Sequence, residues 1–208
     1  MTTSASTHWN TVYSTKAEQH VSWFEAVPEA SIRMLEAAGL TSSSCLIDVG
    51  GGDSRLVDHL LNRGLTCLTV LDISAAALAR AKSRLGEAAN VPKWIEADVA
   101  GAWSCGPVDI WHDRAVFHFL TTREGRERYV EHLLATLKPG GSAVIATFAL
   151  DGPENCSGLP VARYSPESLA AELGAGLMLV SSVAWRHSTP FGTQQSFQYS
   201  RFQRSGRG

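Results

Sequence analysis

Nowhere does this sequence hold an apolar run near the ~18 residues that a membrane-crossing helix needs, which excludes a helical span. Runs of like charge are missing too: 18 Lys and Arg stand against 20 Asp and Glu, a formal net charge of −2. The electrostatic footprint of an extended nucleic-acid binder is therefore absent, although a small nucleotide-derived ligand is compatible with this balance. Cysteine is scarce, with four at positions 45, 67, 105 and 156 and no C-x-x-C spacing suited to zinc. Reduced thiols in a cytoplasmic protein are the expectation, with no metal site. Residues 1–9 lack the basic and apolar regions of a secretory signal. No internal repeat and no G-x-x-x-x-G-K-[ST] phosphate loop occurs.

What is present suits one globular domain: 208 residues, 44% of them hydrophobic and 18% charged. Apolar runs at 45–49, 65–73, 92–97, 108–111 and 142–148 read as short buried strands. Between them lie stretches with helical spacing. Pro28 opens one and Gly39 closes it, residues 53–63 form a second, and Ser74 caps an Ala-rich third. Thr121 and Glu124 have capping-box spacing before a fourth, which Pro139-Gly140-Gly141 ends. Pro166 opens the last helix, and 177–185 and 194–199 are strand candidates with no helix between them. Strands alternating with helices predict an α/β fold: a doubly wound, mostly parallel seven-stranded sheet with helices on both faces and an antiparallel C-terminal hairpin. Residues 1–27 are aromatic-rich and weakly periodic, and read as a lid segment ahead of a domain over 28–208.

In such a sheet, ligands bind beyond the carboxyl ends of the strands. Three carboxylates fall at those ends: Asp48 before Gly50-Gly51-Gly52, Asp72 after the second strand and Asp98 after the third. The glycines permit a tight turn and close approach to a ligand. A helix starting near Asp53 would aim free N–H groups into the crevice. Asp72, 20 residues beyond Gly52, suits a bidentate grip on ribose hydroxyls, and Asp98 can accept from an exocyclic amine. The dinucleotide fingerprint G-x-G-x-x-G would need glycine where Arg55 stands. A ligand with ribose and adenine but no phosphates fits better, and a nicotinamide oxidoreductase is disfavoured.

Asp48-Val-Gly-Gly-Gly-Asp53, Val70-Leu-Asp72-Ile73-Ser74, Glu96-Ala-Asp98-Val99, Val108-Asp-Ile-Trp-His-Asp113 and Leu137-Lys-Pro-Gly-Gly141 together resemble class I S-adenosylmethionine-dependent methyltransferases. The resemblance spans roughly residues 40–150. It implies S-adenosyl-L-methionine as cofactor, with Asp48, Gly50, Gly51 and Gly52 at its methionine end, Asp72 and Ile73 at the ribose and Asp98 with Val99 at adenine. Asp113 would lie at the pocket floor. The wider family loop has a glycine where Asp53-Ser54 stands here, a departure from the pattern.

His8-Trp9-Asn-Thr-Val-Tyr13 with Val21-Ser-Trp23-Phe24 is similar to the aromatic opening of small-molecule thiol methyltransferases and some protein-lysine methyltransferases. In those, the aromatics close over cofactor and substrate, which implies such a role for Trp9 and Tyr13. Methyl transfer from a sulfonium needs orientation of the acceptor and exclusion of water, with a base optional. His118 and Asp113, after the fourth strand, are the candidate catalytic groups, His118 as base or positioner, with a core histidine between Phe117 and Phe119 as the other reading of His118. His112 reads as structural. The 151–164 loop with Cys156 and Arg163 reads as a substrate-side flap. Asp113-Arg-Ala-Val116 replaces the N-P-P-Y-like motif of planar amine methylators. The expected partner is a small-molecule or protein side-chain acceptor, with no extended nucleic acid and no membrane. A module that binds the cofactor without turnover is the alternative.

Overall fold

A computed structural model describes residues 4–206. The helices are α1 (Ser4–Thr15), α2 (Glu29–Ala37), α3 (Leu56–Asn62), α4 (Ala75–Leu85), α5 (Arg123–Thr136) and α6 (Pro166–Leu173). The strands are β1 (Leu46–Val49), β2 (Leu68–Asp72), β3 (Lys93–Glu96), β4 (Val108–Arg114), β5 (Leu137–Phe148), β6 (Asn155–Cys156), β7 (Leu159–Pro160), β8 (Leu177–Ser188) and β9 (Gln194–Arg204). Seven strands form one sheet in the order β3-β2-β1-β4-β5-β9-β8, and β6 and β7 form a separate ribbon. β1 to β5 pair in parallel, whereas β9 runs antiparallel to both β5 and β8. The architecture is thus the expected α/β sheet with a reversed C-terminal hairpin. Among the described residues, no helix is long and apolar enough to cross a membrane.

β1 explains the arrangement. Its residues Leu46-Ile-Asp-Val49 are all buried, as a central parallel strand covered on both faces requires. The pleat divides its side chains and those of β4 and β5 between two layers. Leu46, Ile110, Val144 and Ala146 pack with Leu35 of α2, Leu56 and Leu60 of α3 and Leu78 of α4. Ile47, Val49, Trp111, Ala143 and Ile145 pack on the other face with Tyr129 and Leu133 of α5 and Leu169 of α6. Strand order reverses between β1 and β4, the switch point where a crevice opens beyond the strand ends.

Four local expectations are corrected. α3 begins at Leu56 rather than near Asp53, because Asp53 is drawn off by Arg80 and Arg84. The cap of α5 is Thr122, whose hydroxyl accepts from the Gly125 N–H, one residue beyond the predicted Thr121. Pro139-Gly140-Gly141 does not separate α5 from β5. It forms an irregularity inside β5, where the register with β4 shifts between Val108 and Ile110. Finally, Cys45 and Cys67 are joined as a disulfide, and only Cys105 and Cys156 are free. The β1–β2 register pairs Leu46 with Leu68, so the two preceding cysteines meet with Cα atoms 4.6 Å apart.

Of the predicted lid, residues 1–3 lie outside the described residues. The remainder forms α1 and a short 3-10 turn, Glu18–His20. Asn10 of α1 accepts from the Ser74 hydroxyl and the Ala76 N–H at the start of α4. Arg80 of α4 donates to the carbonyls of Tyr13 and Lys16. The Arg55 guanidinium clamps Glu18 through two bonds of 2.5 and 2.7 Å. These ties hold the segment across the strand ends.

Candidate functional site

A cavity of about 350 Å³ opens at the switch point, under α1 and the 3-10 turn. Its inner wall begins with the turn after β1. Gly50 has φ +66°, and a Cβ there would lie 2.0 Å from the Val116 side chain. Gly51 presses on Asp48, where a Cβ would meet Oδ2 at 2.6 Å. These positions need glycine because the backbone itself forms the wall.

Asp48 lies directly opposite His112 in the β1–β4 register. Its Oδ1 is 2.7 Å from His112 Nδ1, while His112 Nε2 meets the Ser31 hydroxyl at 2.9 Å. The other oxygen, Oδ2, is buried with no hydrogen-bond partner. An orphaned carboxylate oxygen beside a glycine cradle suits a ligand that brings N–H donors or positive charge.

Asp72 closes β2 and also lines the cavity. Its Oδ1 accepts the Ser74 N–H at 2.8 Å. Burial, opposed by that bond and reinforced by the nearby Asp48 charge, raises its carboxyl to about 7. Ligand hydroxyls donating to it would favour the charged form. Ile73, Asp98 and Val99 line the same end, and Asp98 bends its own turn by accepting from Ala100 N–H at 2.9 Å.

The structure therefore brings Asp48, Gly50, Gly51, Asp72, Ile73, Asp98 and Val99 to one cavity, with Trp9 and Tyr13 in its roof. Gly52 stays behind the wall: its φ is +29°, and a Cβ would meet Asp72 Oδ2 at 2.5 Å, so it makes room for that carboxylate.

Two predicted catalytic groups do not reach the cavity. Asp113 is fully buried on the opposite face of β4, because the pleat turns it away from His112. It accepts from the N–H groups of Val116 and Phe117 and from the Tyr129 hydroxyl, at 2.8, 3.1 and 2.7 Å. Burial, partly offset by the Tyr129 bond, raises it to about 6. It shapes the turn that presents Val116 and Phe119. His118 is fully buried between Phe119 and Phe148, at centroid distances of 4.6 and 4.8 Å. Its Nδ1 accepts from the Phe148 N–H and its Nε2 has no partner. Burial, helped by the Arg114 charge, depresses it to about 3, so it is a neutral core histidine. In the 3-10 turn Phe117–Phe119 it is Phe119, one step on, that faces the cavity.

The far half of the cavity joins the predicted aromatic residues Trp9, Tyr13 and Trp23 to Phe119, Arg114 and Glu25, which sequence reasoning missed. Trp9, Tyr13, Trp23 and Phe119 form an aromatic group with Trp9 at its centre, edge-on to Trp23 at 5.6 Å and to Phe119 at 5.2 Å. Arg114 and Glu25 line it as well. The same alternation that turns Asp113 inward carries Arg114 to the cavity side, a signal legible from His112. Cys156 also lines it, its thiol pushed up to about 11 by burial. Arg163 instead pairs with Glu154 at 2.9 Å. Among the described residues, no group of three His, Cys, Asp or Glu side chains gathers as a metal site.

Comparison with known proteins agrees with this geometry. Residues 47–143 match the family model of a methyltransferase domain. An uncharacterized methyltransferase of Mycobacterium bovis is 29% identical over 160 residues, covering 76% of this chain and 73% of that protein. A solved structure concerned with conversion of a disulfide bond into a thioacetal group during echinomycin biosynthesis superposes with TM-score 0.77. It is 20% identical and covers 98% of this chain and 94% of its own. The 1,6-didemethyltoxoflavin-N1-methyltransferase of Burkholderia thailandensis, bound to 1,6-didemethyltoxoflavin and S-adenosylhomocysteine, gives TM-score 0.67 at 19% identity, covering 97% and 84%.

Proposed function

We propose, from the premise that the chain is a class I S-adenosylmethionine-dependent methyltransferase, that its methyl acceptor is a small molecule held wholly inside the cavity. One observation carries this reading: a single continuous cavity, partly open to solvent, runs from the glycine turn to the aromatic wall beneath α1. A protein side chain would have to pass the N-terminal segment, which Asn10, Arg80 and the Arg55–Glu18 pair tie down beside the cavity.

The cofactor supplies an electrophilic methyl group on a sulfonium, and the protein's work is to hold and orient. Asp48 offers its free oxygen to the amino group of the methionine end, and His112 fixes the carboxylate through the other oxygen. Asp72 grips the ribose hydroxyls, Ile73 packs beside them, and Asp98 and Val99 border the adenine. Gly50 and Gly51 let the backbone approach. Trp9, Trp23 and Phe119 exclude water and present ring faces, which favour a positively charged sulfur beside them. Orientation of the acceptor along the sulfur–methyl axis then accounts for transfer without a dedicated base. These residue assignments belong to this reading, as does a place in the cytoplasm.

Calorimetry with S-adenosylhomocysteine, followed by an assay of its release from S-adenosylmethionine across small thiols, amines, phenols and carboxylates and a protein lysate, tests it. Turnover with a small acceptor and none with lysate proteins is expected. Methylation of a protein band with no small-molecule turnover would overturn it.

A further inference from the structure

The acceptor half holds one buried cation whose bonding is incomplete. Arg114 Nε donates to the Tyr199 hydroxyl at 3.1 Å and lies 3.4 Å from Glu25 Oε2. Nη1 donates to the Trp23 carbonyl at 3.1 Å, and the guanidinium stacks 5.1 Å from the Phe197 ring. Nη2 is buried and has no partner. The fork is thus fixed through Nε, Nη1 and its stacking face, and Arg114 is among the residues that line the cavity. Leaving a guanidinium N–H pair buried and unpaired is costly, and such groups in native structures mark a partner yet to arrive.

The charges around it point the same way. Glu25 is the nearby carboxylate, but it is shared with His187, whose Nδ1 lies 3.2 Å from Glu25 Oε1. His187 Nε2 lies 2.7 Å from the Ser22 carbonyl, which can only accept. Both ring nitrogens of His187 therefore lie against oxygen atoms of the N-terminal segment. Glu25 is thus divided between His187 and Arg114 and does not reach Nη2. The cavity's other cations are occupied: Arg55 by Glu18, and Arg80 by Asp53.

Resting on the reading that this cavity holds the acceptor, we infer that the acceptor is a planar molecule bearing a carboxylate, and that Arg114 Nη2 binds that carboxylate. The aromatic walls supply stacking for the flat body, and the unpaired Nη2 offers charge-assisted N–H donors to a carboxylate oxygen. Arg114 thereby sets which acceptors are admitted and how their nucleophilic atom faces the methyl group.

The test uses the whole protein saturated with S-adenosylhomocysteine, with benzoate and its neutral isostere benzamide as probes in calorimetry. Benzoate is expected to bind at least ~10-fold more tightly than benzamide, and Arg114→Gln to bring the two within ~2-fold while S-adenosylhomocysteine affinity changes little. Equal affinity in the parent protein, a preference that survives in Arg114→Gln, or no binding of either probe would overturn the inference and leave the proposed function standing. Failure of S-adenosylhomocysteine itself to bind would overturn that function, and the inference with it. If Arg114→Gln does not fold, Glu25→Gln decides: removing the neighbouring negative charge should tighten benzoate ~3-fold and leave benzamide unchanged, and unchanged benzoate would overturn the inference.

Discussion

Asp48 and His112 sit on neighbouring parallel strands in direct register, and their 2.7 Å contact fixes one carboxylate oxygen while leaving the other unbonded at the glycine turn. A group with no fold-stabilising partner is carried at the centre of the sheet, where burial makes it costly. That cost is understandable when a bound ligand removes it, and it separates Asp48 from Asp113, all of whose burial is answered by internal donors.

Asp72 provides a pH-dependent prediction. Its carboxyl is raised to about 7 in the free protein by burial, against about 3.9 in an unfolded chain. Between those values the native state holds a proton that the unfolded chain has lost, so stability of the free protein falls as pH rises through that window. Ribose hydroxyls favour the ionised form, so S-adenosylhomocysteine affinity should rise roughly tenfold from pH 6 to pH 8. Calorimetry across that range checks it, and Asp72→Asn should bind more weakly with a flat profile.

Gly50→Val should abolish cofactor binding. The added Cβ would overlap the Val116 side chain, at 2.0 Å, in a backbone conformation with φ +66° that valine resists. A folded variant that binds S-adenosylhomocysteine like the parent would remove the turn from the site.

For His118, the structure selects the core-histidine reading over the catalytic one. His118→Ala should lower the denaturant midpoint, by an amount equivalent to about 2–4 kcal/mol for an emptied aromatic-sized space. S-adenosylhomocysteine affinity should stay within about twofold, since the ring does not line the cavity. Paired unfolding and calorimetry on one preparation separate these effects.

Reduction of Cys45–Cys67, or replacement of both by serine, should destabilise the protein by about 3 kcal/mol, on the chain-entropy account of a loop with sequence separation 22. The bond lies at the amino ends of β1 and β2, opposite the cavity, so cofactor affinity should not move. Melting with and without dithiothreitol, beside calorimetry, checks both halves.

What could be read in advance depended on how local the determinant is. The β1 strand, its glycine turn and the acids of β2 and β3 lie within a few residues of one another in each unit, and chain order alone places them at strand ends. Reach along the chain was the wrong guide for Asp113 and His118: the parity of the pleat and the rotation of a 3-10 turn decide which side they face, and parity already separates Arg114 from Asp113. The partners of Arg114 were beyond such reasoning. Glu25 and His187 stand 162 positions apart, and only the insertion of β9 beside β5 brings Tyr199 beneath the guanidinium. The disulfide was hidden for the same reason, since its pairing follows from a register between strands.

That insertion also sets an order of assembly during synthesis. β1 to β4, with the glycine turn and Asp72, are complete by Arg114. Phe197 and Tyr199 belong to β9, made after every other strand of the sheet and then slotted between β5 and β8. Until it arrives, Arg114 has neither its stacking ring nor its phenol. In chain order, the strands that carry Asp48, Asp72 and His112 thus precede the one that completes the surroundings of Arg114.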